Sequence, residues 1–325
     1  MTRKRSLQAL VNNIHYHKKH WRTHGLGETF VMVEGATDKD LWERFCPKES
    51  CECFDADGKD NVREALDITN SQKICGIAGI IDSDYELIRE SDKLHKRNLL
   101  YDRCYPDAEL MILNSANSAA LTDVLRTKFY RKDDPDIQKL ADLLQTEAER
   151  LAMEFGYFRL LNDCFKDYRI SFSDFWDSRC YRFDEFVDAE DIQSIKFRQK
   201  CFAKRLADFH NAGKSPGHYG RREHWELLEG VAQLKKIDKF KSPNTKLCQG
   251  HDTVALIAFL LPMMFKSVFD RNLPSEFKEF RHGRKLEKKL RNKYRVEDFI
   301  ATTLCDAIRN WESENPCYKI LNSDI

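Results

Sequence analysis

The chain has 325 residues, of which 42% are hydrophobic, and a formal net charge of +1 at pH 7. That apolar share supports a real core and excludes a globally disordered chain, and the length suits two domains or one large one. No apolar run predicts a membrane span, the basic start MTRKRSLQAL has no signal-length apolar stretch after it, and the near-neutral total leaves only the distribution of charge informative.

Residues 1–27 are polar and basic, and Leu7, Leu10 and Ile14 recur at helical spacing, which predicts a short amphipathic helical extension. Residues 30–33 (FVMV) read as a buried strand that Glu34-Gly35 breaks, and residues 38–45 as a helix with Leu41, Trp42 and Phe45 on one face. Residues 51–54 read as a second strand, the DADGKDN stretch at 55–61 as a turn-rich loop, and residues 62–68 as a helix. Residues 74–81 read as a third strand that stops at Asp82-Ser83-Asp84. Short Val- and Ile-rich runs bounded by turns suit central strands, and the order β-α-β-α-β predicts a parallel sheet. Eleven scattered cysteines, with Cys51 and Cys53 the only close pair, predict reduced thiols and a cytoplasmic protein.

Further along, DAELMIL at 107–113 reads as another strand with Glu109 near its start, followed by a small polar loop and a helix from about Leu121. The pattern is then mostly helical to about Leu206, and the aromatic, acidic stretch 171–187 reads as packing between helices. The glycine-rich NAGKSPGHYG at 211–220 is not a P-loop, because the spacing fails and no apolar strand precedes it. A helix is predicted over 223–234. Gly250-His251-Asp252 then leads into an apolar helix over 254–265, with Asp252 as its N-cap and a kink at Pro262. The segment 281–295, RHGRKLEKKLRNKYR, is densely basic. The fold class is therefore α/β: a basic extension over 1–27, a Rossmann-like domain with a mostly parallel sheet over 28–125, and a mainly helical domain over 126–325.

Two strands that deliver Glu34, Asp82 and Asp84 to one sheet edge make a concentrated negative site. Crowded carboxylates repel unless a cation joins them, and Mg²⁺ takes oxygen ligands. Asp38, one helical turn after Glu34, can complete a second metal site. Lys59 can meet charge developing on a phosphate, and His251 can touch phosphate or act as an acid. The plain alternatives are an N-cap at Asp38, a polar turn at Asp82, a solvated Lys59 and a packing His251. Arg284, Lys285, Lys288 and Lys289 can neutralise nucleic-acid phosphates if the segment is helical; the alternative is a solvated face or a contact for an acidic protein.

EGxxD after the first strand with DxD after a later one resembles the Toprim catalytic domain of topoisomerases, primases and OLD-type nucleases, over about residues 28–115. The resemblance implies acid-base and metal roles for Glu34, Mg²⁺ (or Mn²⁺) held by Asp82 and Asp84 with Asp38, and a further acidic ligand at Glu109. Gly58-Lys59-Asp60-Asn61 and the Gly250-His251-Asp252 element make the whole chain similar to the AriB-like effectors of the PARIS anti-phage system. That likeness implies a toxic endonuclease, with tRNA favoured over DNA, an ABC-type ATPase partner, a homodimer when active and no membrane. Other readings are a DNA-nicking Toprim nuclease and a non-catalytic subunit that binds metal or nucleic acid. A haloacid-dehalogenase phosphatase would place its DxD on the first strand, and a glycosyltransferase would need a sugar-domain pattern that is absent.

Overall fold

A computed structural model of the chain describes residues 2–22, 29–129, 134–164, 172, 183–189, 194–214, 223–241 and 245–325. The chain divides into two compact units, Met1–Met111 with Tyr294–Ile325, and Ile112–Lys293. The expected division at residue 125 therefore differs from the observed one in two ways. The break comes earlier, and the last part of the chain returns to the first unit.

The first unit is α/β. Its helices and strands alternate as α1 (Thr2–Arg22), β1 (Thr29–Val33), α2 (Ala36–Trp42), β2 (Cys51–Asp55), α3 (Lys59–Ser71), β3 (Ile77–Ile80), α4 (Asp84–Ile88) and β4 (Leu99–Leu100). The four strands form one parallel sheet in the order β2-β1-β3-β4. All five residues of β1 are buried, as a central strand covered on both faces requires. Val11 and Ile14 of α1 join Phe30, Met32, Val62, Leu66 and Ile77 in the core below the sheet. Gly79 in β3 lets α3 pack closely, since a Cβ there would stand 2.6 Å from a Val62 methyl.

The C-terminal elements α13 (Val296–Ile300) and α14 (Thr303–Glu314) complete this unit. Both Asp102 oxygens are used: Oδ1 accepts the Cys104 and Tyr105 N–H groups, and Oδ2 accepts the Leu304 N–H at 3.0 Å. Buried Glu312 accepts the Ile320 and Leu321 N–H groups at 2.6 and 2.8 Å. Leu304, Ile308 and Trp311 of α14 are buried at helical spacing, and these bonds fix the polar chain around them.

The stretch expected as a strand at 107–113 is instead a helix, α5 (Ala108–Leu113). Asp107 caps it by accepting the Leu110 N–H at 2.9 Å, and a capped apolar run of this length serves a buried helix as well as a strand. The real fourth strand, β4, is two residues long and carries no readable pattern.

The second unit is mainly helical: α6 (Ala119–Arg126), α7 (Pro135–Cys164), α8 (Phe183–Phe186), α9 (Gln199–Phe209), α10 (His224–Leu234), α11 (Gly250–Phe269) and α12 (Gly283–Lys293), with a small antiparallel pair Val187–Asp188 and Lys196–Phe197. Of the aromatic stretch expected to pack between helices, Phe172 and Phe186 are buried, Phe186 packs edge to face on Phe202, and Phe183 packs on Phe155 and Phe259. Phe175, Trp176, Tyr181 and residues 215–220 of the glycine-rich loop lie outside the described residues. At Gly156 of α7 a Cβ would come within 1.8 Å of the Leu247 carbonyl oxygen, so only glycine allows that approach.

Helix α11 starts at Gly250, and Gln249 is its N-cap, so Asp252 lies in the first turn and does not cap. Contrary to expectation, α11 is long and apolar enough to cross a membrane by length and composition, and 56% of its most apolar window is buried within the protein. Core helices of that kind pass the same test.

Candidate functional site

Strand order 2-1-3-4 reverses direction between β1 and β3. Open α/β sheets bind ligands at such a switch point, outside the C-terminal ends of the strands. Glu34 is the first residue after β1, and Asp82 is the second after β3. Because Met32 is in register with Gly79, the two strands end side by side. Glu34 Oε1 accepts the Asp82 N–H at 2.8 Å. Asp82 Oδ1 in turn accepts the Ala108 N–H at 3.2 Å, from the start of α5.

The neighbouring loop is built to deliver Lys59. Gly58 has φ 115°, a conformation that favours glycine, and its N–H bonds the Glu34 carbonyl at 2.7 Å. Asn61 clamps the same loop by donating to the Ala56 and Asp57 carbonyls, both at 2.8 Å. Lys59 then begins α3 with its ammonium ion-paired to Asp84 and 3.9 Å from Glu34 Oε1. Burial opposes its charge, but Asp84 and Glu34 outweigh that and push its pKa up. Each member of Gly-Lys-x-Asn thus has its own physical duty.

The electrostatics are those of a crowded acid site. Burial pushes the Glu34 carboxyl up to about 7, against the pull of Lys59 and the Asp82 N–H, with Asp84 and Asp38 adding repulsion. Burial also pushes Asp82 well above the usual carboxylate range, helped by Asp107, Glu34, Asp38 and Glu109. Asp38 lies in the first turn of α2, and Glu109 is buried on α5. The structure therefore brings Glu34, Asp38, Asp82 and Glu109 into one field, and adds Asp107. Sequence reading missed Asp107 because DAELMIL was taken as a strand. An Asp three residues ahead of the helical N–H it caps was the available signal.

Asp84 is placed differently from Asp82. Its backbone takes the left-handed conformation (φ 44°), with its N–H bonded to the Pro106 carbonyl at 2.9 Å, and its side chain holds Lys59. An L-residue other than Gly tolerates that conformation only at a cost, which Asp bears better than most. The DxD pair thus divides: Asp82 faces the other acids, and Asp84 faces the lysine.

The remaining predicted residues belong to the second unit. Asp252 is buried and gripped by Arg159 at both oxygens, 2.8 and 2.9 Å, so the Asp of Gly-His-Asp ties α11 to α7. His251 is exposed, with Nδ1 2.9 Å from Glu287 Oε2. On α12, Arg284, Lys285, Lys288 and Lys289 are exposed while Leu286 and Leu290 are buried, so the four cations occupy the outer face of an amphipathic helix.

The donor chemistry at this edge, oxygen only, is that of a hard divalent cation, but the Glu34, Asp38 and Asp82 carboxylate oxygens are not all within 4.8 Å of one another, so a cation would have to draw them together. Glu34, Asp38 and Asp82 offer oxygen ligands, and their mutual repulsion is the condition a cation relieves. No protein-family model matches this chain, and neither does any curated protein.

Proposed function

We propose that the chain is a divalent-metal-dependent endonuclease of the Toprim kind. The observation that carries this reading is the meeting of Glu34 and Asp82 at the β1/β3 switch point, crowded by Asp38 and flanked by Lys59. Glu34, Asp38 and Asp82 would hold Mg²⁺ or Mn²⁺, which when bound supplies polarisation of a phosphoryl oxygen and neutralises charge on the scissile phosphate.

The chain's own residues supply the rest. Burial holds the Glu34 carboxyl at about 7 in the metal-free chain, a bound cation would favour its ionised form, and the Asp82 N–H on Oε1 fixes its orientation for taking a proton from water. Lys59 stays charged and can meet negative charge on phosphate, with Asp84 holding it in place. Glu109 and Asp107 keep the field around Asp82 negative. The exposed cations of α12 are suited to backbone phosphates, whose recognition needs no sequence-reading element. His251, oriented by Glu287, is a candidate phosphate contact.

The AriB-like resemblance extends the proposal to a toxic effector that cuts tRNA in the cytoplasm, is held by an ABC-type ATPase and acts as a homodimer. The test is cleavage of labelled tRNA and of plasmid DNA by the full chain, made with and without that ATPase, in Mg²⁺, Mn²⁺ or EDTA. Metal-dependent cleavage of tRNA, lost in Glu34→Gln and in Asp82→Asn, is the expected result. Cleavage of DNA alone would move the reading to the nicking branch. Metal binding without cleavage of either nucleic acid would leave a regulatory subunit and overturn the enzyme.

A further inference from the structure

A second feature of the first unit lies at the opposite end of the sheet from the acids, where Ile74 leads toward β3. Helix α1 and the turn after α3 enclose a groove of about 750 Å³, lined by His15, Tyr16, Lys18, Lys19, Gln72 and Lys73 among others, with no acidic residue in its described lining. Tyr16 is 71% exposed, a large apolar ring standing in solvent. Lys19 and Lys73 are exposed, and neither has a carboxylate partner among the described residues. Lys18 is buried in the floor, donates to the Cys75 carbonyl and sits 5.3 Å from the centre of the Tyr318 ring. His15 bonds Gln72 at 2.8 Å and so holds α1 against the end of α3.

We propose that this groove is a nucleotide-binding site, with phosphate held by Lys19 and Lys73 and a base stacked on Tyr16. Lys73, in the left-handed conformation (φ 55°), caps α3 through its backbone, and its ammonium is not needed for that. The Gln72, Lys73 and Ile74 N–H groups already bond the Ile68, Asn70 and Thr69 carbonyls at 3.0, 3.1 and 2.9 Å. Nor does core packing account for a mostly exposed Tyr16. A flat ring beside exposed ammonium groups is the combination that grips a base and its phosphate without reading sequence. The groove lies at the other sheet end from Glu34 and Asp82, so nucleotide here is held and not cut. A free nucleotide and a nucleotide within a strand share this chemistry.

The test uses the full chain in EDTA, which removes the metal site from the reading. A fluorescein-labelled single-stranded oligonucleotide is titrated by anisotropy, with adenosine monophosphate as competitor. The variants are Tyr16→Ala and the pair Lys19→Glu with Lys73→Glu, all exposed positions whose melting should match the wild type. The lysine pair should weaken oligonucleotide binding about tenfold and flatten its salt slope by about 0.7 for each phosphate lost. Tyr16→Ala should weaken it about fivefold with the slope unchanged. Competition by the mononucleotide, lost in the same variants, would mark a free-nucleotide site; strand binding without competition would mark a strand site. Unchanged affinity and slope in the lysine pair, with no competition in the wild type, would overturn the proposal. If the charge-reversed pair melts early, Lys19→Gln with Lys73→Gln gives the same readings.

Discussion

In the helical unit, Asp252 is gripped at both oxygens by Arg159, Glu154 takes the Lys235 ammonium at 2.8 and 3.0 Å, and Glu279 meets Lys128 at 2.6 Å. At the sheet edge of the first unit, Glu34 meets Asp82, Asp38 adds negative charge around both, Asp107 and Glu109 add it around Asp82, and Lys59 is held mainly by Asp84. The first arrangement stabilises a fold, because buried Asp252 has its counter-charge in place and the part-exposed acids Glu154 and Glu279 are paired as well. The second costs stability in the metal-free chain, since burial first, and neighbouring carboxylates second, make Glu34 and Asp82 resist ionisation. Cost of that kind at a strand-end switch point marks a site. A pattern of acids alone would not separate the two; the partners do.

The sharpest way to break this contrast is to remove one acid from each region. Asp82→Asn or Glu34→Gln should lower metal-dependent cleavage by about a thousandfold or more and leave the melting temperature equal to or above that of the wild type, because a repelling charge is gone. Asp252→Ala should do the reverse. Losing its half of a buried pair strands Arg159 and should cost about 3 kcal/mol or more in denaturant unfolding. Full cleavage activity in Asp82→Asn, or unchanged stability in Asp252→Ala, would erase the distinction.

A smaller effect tests the electrostatic cause. The Glu34 carboxyl is pushed up from 4.5 to about 7. The folded chain then holds that proton more tightly than the unfolded chain, so this contribution to metal-free stability is full below about 4.5 and fades as pH rises through 7. Mg²⁺ needs the ionised acids, so the thermal shift it produces should grow across the same window and vanish in Asp82→Asn. A Mg²⁺ shift that is flat from pH 5 to pH 8, a window set by the same carboxyl, would count against the site. The smallest expected effect concerns the outer face of α12. Changing Lys285, Lys288 and Lys289 to Glu should weaken nucleic-acid binding and reduce its salt slope by about 0.7 to 0.9 for each phosphate lost, with metal binding intact. Loss of the ATPase partner with unchanged nucleic-acid binding would reassign that face to a protein contact.

How far the sequence reached follows from the range of the forces involved. Strands β1 and β3 were legible because central strands bury both faces and so read as unbroken apolar runs, and Glu34 and Asp82 were legible because acid stops those runs abruptly. Helices α2, α3, α10 and α11 were legible from local periodicity, although the start of α11 was placed late and Asp252 was taken for its cap. What the sequence hid depends on contacts between distant residues. A short apolar run such as DAELMIL suits helix and strand equally, and only its capped place after Pro106 makes it a helix. A two-residue strand has no pattern, and β4 exists because β3 offers it a free edge. The polar tail returns to the first unit through hydrogen bonds to Asp102 and Thr29, residues some 200 and 290 positions away. The role of Asp84 likewise rests on a left-handed turn and on a lysine 25 residues earlier. Sequence alone determined which acids end which strands, because that is a local property of the chain; the tertiary structure alone decided which of them face each other and which face a cation, because charge acts through space and not along the chain.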